Sequence, residues 1–151
     1  MSTIHLPDEA ATAALGAPLA ELLIPGTRVF LRGELGAGKT SLVRAYLRAL
    51  GYTGAVRSPT YTLVESYTLA DRTMHHFDLY RLADPQELEF IGIRDYLGVD
   101  AIALIEWPER AGDLLLPADL TLELEYARPG RILHCHGRDD FVQALARTIH
   151  P

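Results

Sequence analysis

Two short runs are apolar at every position: residues 29–31 (Val-Phe-Leu), which lead to Gly33, and residues 101–105 (Ala-Ile-Ala-Leu-Ile), held between Asp100 and Glu106. Runs of that length predict strands buried on both faces. Elsewhere the pattern alternates. Residues 61–67 and 73–79 are rich in β-formers and joined by 68–72, which predicts a hairpin. Residues 121–126 and 131–136 predict a second hairpin around Arg128-Pro129-Gly130. Helical spacing fills the remainder. Residues 7–23 predict a helix with Pro7, Asp8 and Glu9 near its first turn, split in two by Gly16 and Pro18. Residues 41–50 carry an apolar stripe of Leu42, Ala45, Tyr46 and Ala49, and Gly51 ends that helix. Asp84 as N-cap and Pro85 at the first position open a short helix. Residues 139–149 close the chain as a helix. Strands interleaved with helices, without repeats or a low-complexity linker, predict a single α/β domain over residues 1–151.

One segment carries chemistry. Gly33-Glu34-Leu35-Gly36-Ala37-Gly38-Lys39-Thr40 fits G-x-x-x-x-G-K-[ST] without a gap. Gly33, Gly36 and Gly38 let the backbone curl so that N–H groups, including those of Ala37 and Ser41, converge on phosphates. The helix that follows aims its positive end at the same anion. Lys39 is placed to reach the terminal phosphates and Thr40 to hold Mg²⁺. A chance match in a chain this long has a probability of roughly half a per cent, and this one sits between an apolar strand and a helix, where the mechanism needs it. The fold class predicted is therefore a P-loop NTPase-like central mixed sheet flanked by helices, with β-hairpins.

Composition sharpens this reading. The 151 residues include 14 basic side chains, and Lys39 is the only lysine among them. A compact ammonium is thus kept at the one place where a phosphate loop uses it. Asn is absent, which excludes the Asn-Lys-x-Asp guanine-reading motif and the catalytic-loop Asn of protein kinases. A single cysteine, Cys135, excludes an internal disulfide framework. The net charge of −6 is wrong for a stand-alone nucleic-acid binder. The longest apolar stretch, residues 10–24, is interrupted by Pro18 and Glu21, and the N-terminus lacks a basic leader, so a cytoplasmic protein without a membrane segment is expected.

Phosphate chemistry also needs a metal-side carboxylate and a group that orients water. Glu106 ends the second apolar run, where such an acid belongs; its alternative is a plain strand-end carboxylate. Asp78, on the strand face shared by His76 and Tyr80, is the other candidate, with a structural pairing to Arg81 as the alternative. Thr60, in Ser58-Pro59-Thr60, is a candidate switch residue, with a plain proline turn as the alternative. Trp107 follows Glu106 directly and is either core or a nucleotide neighbour. In His134-Cys135-His136, alternation sends the two imidazoles and the thiol to opposite faces, which argues against a metal site. His75 and His76 diverge for the same reason.

At these residues the sequence resembles the TsaE family, small P-loop ATPases of bacterial tRNA threonylcarbamoyladenosine biosynthesis. The likeness runs through Leu6-Pro7-Asp8-Glu9, the phosphate loop, residues 57–65, 76–89 and 90–96, and residues 104–109 around Ile105-Glu106-Trp107. It covers about two-thirds of the chain, in order, and is less diagnostic after residue 117. The resemblance implies a weak Mg²⁺-dependent ATPase that joins TsaD and TsaB. ATP hydrolysis would support repeated transfer of threonylcarbamoyl to N6 of a tRNA adenosine, with tRNA met only through the complex. It also implies Mg²⁺ positions at Thr40 and Glu106, an acid for hydrolysis at Asp78 and a switch threonine at Thr60. Nucleotide contacts are implied at Trp107 and, more weakly, at Glu9 and Arg131.

Two other functions fit a phosphate loop: a small-molecule kinase, and a nucleotide-gated binding module without useful turnover. The first has little spare chain for an acceptor lid. The second stays open because no arginine finger is assigned, Arg57 and Arg81 being the available donors.

Overall fold

In the computed structural model, which describes residues 2–69 and 71–149, seven strands form one mixed sheet. They are β1 (Ser2–Leu6), β2 (Arg28–Arg32), β3 (Val64–Leu69), β4 (Arg72–Asp78), β5 (Ala101–Glu106), β6 (Leu120–Ala127) and β7 (Gly130–Gly137). Their spatial order is β1-β7-β6-β2-β5-β4-β3. The centre is parallel: β2 lies between β5 and β6, and β4 lies beside β5. Both wings are antiparallel, made by the β6–β7 hairpin with β1 on one side and by the β3–β4 hairpin on the other.

The helices cover both faces. Helices α1 (Glu9–Ala13), α2 (Gly16–Leu22), α3 (Lys39–Ala49) and α6 (Asp139–Ile149) belong to one layer. Helices α4 (Gln86–Phe90) and α5 (Ile93–Tyr96), with the 3₁₀ turn Pro108–Leu114, lie over the other. Strand β5 serves both cores at once. Ile102 and Leu104 join the larger core with Val29, Leu31, Leu42 and Leu122, while Ala103 and Ile105 join the smaller one with Phe77, Leu88 and Ile93. Burial on both faces is why its sequence is apolar without alternation. Each fully buried leucine or isoleucine contributes about 1.5–3 kcal/mol.

Four local readings change. Helix α3 buries Leu42, Val43, Tyr46 and Leu47 rather than Ala45 and Ala49. The two alanines face α2, where Gly16 comes so close that an added Cβ would lie 2.3 Å from the Ala45 carbonyl oxygen. The first hairpin begins at Val64, not residue 61, because Pro59 and Leu63 close a turn through a 2.8 Å backbone hydrogen bond. Its connection includes Ala70, which lies outside the described residues, but Leu69 pairs with Arg72 across it. Pro85, not Asp84, is the N-cap of α4, and Asp84 caps from one position further out, its carboxylate accepting from the Gln86 N–H at 2.9 Å. Strand β1 has no counterpart in the sequence reading: residues 2–6 were too short to show a period, and pairing with β7 makes them a strand.

Residues 7–23 do split in two, but the break falls at Ala14 and Leu15, and Gly16 and Pro18 lie in the first turn of α2 rather than between the helices. Asp8 caps α1 by accepting from Ala11 N–H at 2.8 Å. Two Arg72 hydrogen bonds, to the carbonyls of Ala20 and Leu23, satisfy the end of α2.

Candidate nucleotide site

The strand order reverses direction around β2 and β5, and ligands of open α/β sheets bind beyond the carboxyl ends of strands at such a point. Here β2, β4 and β5 end at Arg32, Asp78 and Glu106. Register places Asp78 opposite Glu106, and Glu106 opposite Leu31. The loop after β2 then turns into α3 through Gly38, whose φ of +106° at the helix N-cap is a conformation that a side chain disfavours.

Lys39 is 5% exposed. Its ammonium donates to the Gly33 carbonyl, lies 3.8 Å from Glu106 Oε1, and sits 4.4 Å above the Trp107 ring. Burial pushes the Lys39 pKa below its usual value, against the pull of the Glu106 carboxylate. Trp107 takes a left-handed backbone, φ 55°, which turns its ring onto Lys39 and Tyr80.

Asp78 does not pair with Arg81. Its Oδ1 accepts from Tyr80 N–H at 3.0 Å and its Oδ2 from the Thr60 hydroxyl at 3.0 Å. Ser58 lies 2.7 Å from Thr60, so the Ser58-Pro59-Thr60 segment is tied to the end of β4. Arg81 instead lies over the Tyr61 ring and donates to its hydroxyl.

These side chains share one cleft of about 280 Å³, lined by Gly36, Gly38, Lys39, Thr40, Ser41, Ser58, Thr60, Asp78 and Glu106. A second cleft of about 210 Å³ shares Gly38 and Ser41 with it and adds Ala37, Glu9 and Arg131. Gly33 and Trp107 border a larger hollow, about 520 Å³, on the far side of the loop. That hollow holds none of Lys39, Thr40, Asp78 or Glu106.

Sequence reasoning missed two contributors. His76 is fully buried, with Nε2 2.6 Å from Glu106 Oε2. Its signal was present as the residue two before Asp78 on the same strand face. Tyr126 donates to the Leu35 carbonyl at 3.3 Å and lies under the Arg131 guanidinium, which itself donates to the Ala37 carbonyl at 2.9 Å. The β6–β7 hairpin thus holds the outer side of the phosphate loop by two of its carbonyls. Nothing in the local sequence of Tyr126 announces that contact.

His134-Cys135-His136 divides as alternation predicted. Cys135 is buried in the core, with its thiol pKa pushed up to about 11 by burial, and His134 pairs with Glu125 at 2.8 Å. Among the described residues no group of three or more His, Cys, Asp or Glu could hold a metal ion. Mg²⁺ does not need one, since it is held by one or two protein oxygens together with phosphates and water. No helix among the described residues is long and apolar enough to cross a membrane.

A mixed sheet with a glycine-rich loop opening α3, a buried lysine, and acids at the ends of β4 and β5 defines a P-loop nucleotide-binding protein. The fold has a solved relative in YdiB of Bacillus subtilis, whose crystal structure matches with a TM-score of 0.76 at 22% identity, over 99% of this chain and 92% of that one. The family model described as "Threonylcarbamoyl adenosine biosynthesis protein TsaE" matches residues 6–133, and the chain belongs to that family. The tRNA threonylcarbamoyladenosine biosynthesis protein TsaE of Haemophilus influenzae is 49% identical over 129 residues, 82% of each chain. Its namesake from Synechocystis is 45% identical over 113 residues, 72% of this chain and 71% of that one.

Proposed function

We propose that this chain is the ATPase subunit that assists a TsaD–TsaB enzyme in forming threonylcarbamoyladenosine in tRNA. The observation that carries the proposal is the gathering of Lys39, Thr40, Thr60, Asp78 and Glu106 in one cleft at the start of α3. The names of its relatives, as tRNA threonylcarbamoyladenosine biosynthesis proteins, support the tRNA-modification setting over the kinase reading.

The donor set fits ATP and Mg²⁺. Lys39 holds a loop carbonyl and a distant carboxylate, both replaceable by phosphate oxygens. The backbone around Gly33, Gly36, Ala37, Gly38 and Ser41 lies at the positive end of α3 and would cradle the phosphates. Thr40 and Glu106 would hold Mg²⁺, which when bound neutralises charge developing on the phosphate oxygens. Thr60 and Asp78 are already hydrogen-bonded, so a shift of the switch segment toward the metal would release Asp78 Oδ2 to orient water. Glu9 and Arg131, in the adjoining cleft, would meet the nucleoside end, and Trp107 the phosphate end beside Lys39.

The net charge of −6 suits a subunit that meets tRNA only through TsaD and TsaB, in the cytoplasm. Phosphate release from ATP without an acceptor tests the ATPase reading against the kinase. Asp78→Ala should keep nucleotide binding and lose turnover; a variant that hydrolyses ATP normally would remove Asp78 from the mechanism. Capture of TsaD and TsaB on the immobilised chain, with and without ATP, tests the partners, and failure in both conditions would defeat the subunit assignment.

A further inference from the structure

Glu106 has two carboxylate oxygens, and the structure treats them differently. Oε1 lies 3.8 Å from the Lys39 ammonium, and both residues line the cleft that also holds Thr40 and Asp78. Oε2 is held at 2.6 Å by Nε2 of His76, on the neighbouring strand, where His76 is aligned with Leu104 two residues before Glu106. Both side chains are shielded, His76 completely and Glu106 to 3% exposure. The other ring nitrogen of His76, Nδ1, is buried and has no hydrogen-bond partner among the described residues. A carboxylate only accepts, so the proton between the pair belongs on Nε2, and a bare Nδ1 leaves no donor stranded in the core.

We propose that His76 is a positioning residue for the metal-side carboxylate. It acts as a donor that fixes Oε2 and so aims Oε1 into the cleft. This rests on the Mg²⁺–nucleotide reading of the site. An apolar residue at position 76 would leave Oε2 buried and unpaired and let the carboxylate turn. An arginine there would hold it but cancel much of the charge the metal requires. Imidazole with a single proton does neither. Partners that hold a metal-binding group in this way change metal affinity by roughly 10–100-fold when removed.

The test is the affinity of ADP and of a non-hydrolysable ATP analogue, each measured in Mg²⁺ and in EDTA, for the wild type, Glu106→Gln, His76→Ala and His76→Gln. The wild type and Glu106→Gln establish whether Mg²⁺ strengthens binding through Glu106 at all; if it does not, the Mg²⁺ part of the reading fails and the role of His76 falls with it. Given that coupling, His76→Ala should lose it by about tenfold or more while its affinity in EDTA stays within about twofold. His76→Gln, which presents an amide N–H near the position of Nε2, should recover most of it. Full coupling in His76→Ala overturns the proposal, as does a folded His76→Gln that behaves like the alanine variant. If the alanine variant does not fold, nitrogen NMR of the nucleotide-free wild type decides with His76→Gln: a protonated Nε2 and bare Nδ1 are expected, and a protonated Nδ1 overturns the assignment.

Discussion

The two sides of the sheet are built differently. In the wing of β6, β7 and β1 the buried side chains are Ile4, Leu6, Leu120, Leu122, Leu124, Leu133 and Cys135, apolar throughout apart from an inert thiol. In the parallel centre β4 and β5 bury comparable apolar positions but end in His76, Asp78 and Glu106, with Lys39 packed against them. Buried charges cost free energy unless paired, and these are paired with one another or with loop groups. The wing therefore supplies stability, and the centre spends some of it to hold a site. The wing still reaches the site, through the two contacts that Tyr126 and Arg131 make with the carbonyls of Leu35 and Ala37.

That division can be broken at either end. Lys39→Ala should weaken nucleotide binding by at least about 100-fold, read by calorimetry, because the cleft loses the one buried lysine or arginine among the described residues. Retained affinity would mean that backbone N–H groups alone carry the anion. Leu133→Ala, at a fully buried wing position, should cost about 2–5 kcal/mol in urea unfolding and leave nucleotide affinity intact while the protein is folded. Loss of affinity in the folded variant would show that the wing shapes the site more than its two contacts suggest. Tyr126→Phe, which deletes only the hydroxyl donor to Leu35, should lower affinity about fivefold without altering the unfolding midpoint.

The smallest effect is a pH dependence in the other wing. His75 faces Ser66 and Tyr96, and burial holds its pKa below the ordinary 6.5. The unfolded chain then takes up the proton first. This contribution to stability is whole above about pH 6.5 and is lost as pH falls from there toward the folded value. Thermal unfolding at pH 7.5 and 5.5 should differ by no more than a few degrees on this account, and His75→Gln should narrow the difference. An unchanged difference would assign the acid sensitivity to other groups.

The same contrast explains what could be read in advance. The phosphate loop, the acid at the end of β5 and the acid at the end of β4 are local signals, because strand-end chemistry depends on a run of sequence and its last residue. The β6–β7 hairpin was legible from alternation for the same reason. His76 was seen only as a neighbour of Asp78, since its role depends on β4–β5 register, which no single segment contains. Tyr126 and β1 were invisible for a stronger version of that reason. Their meaning lies in contacts with residues 91 and more than 120 positions away. In α3 the period was right and the face slightly wrong, because a helix packed against both a sheet and α2 uses small residues on one side and large ones on the other.

The pairing of β1 with β7 has a consequence for synthesis. Ser2 is aligned with Cys135 and Leu6 with Arg131. Of the seven strands, the first to be made is therefore the last to find its neighbour. At about 5–20 residues per second it waits on the order of ten seconds for β7 to be made. The cleft that joins Glu9 to Arg131 closes only then. The glycine-rich loop, Asp78 and Glu106 are complete some twenty-five residues earlier in the chain.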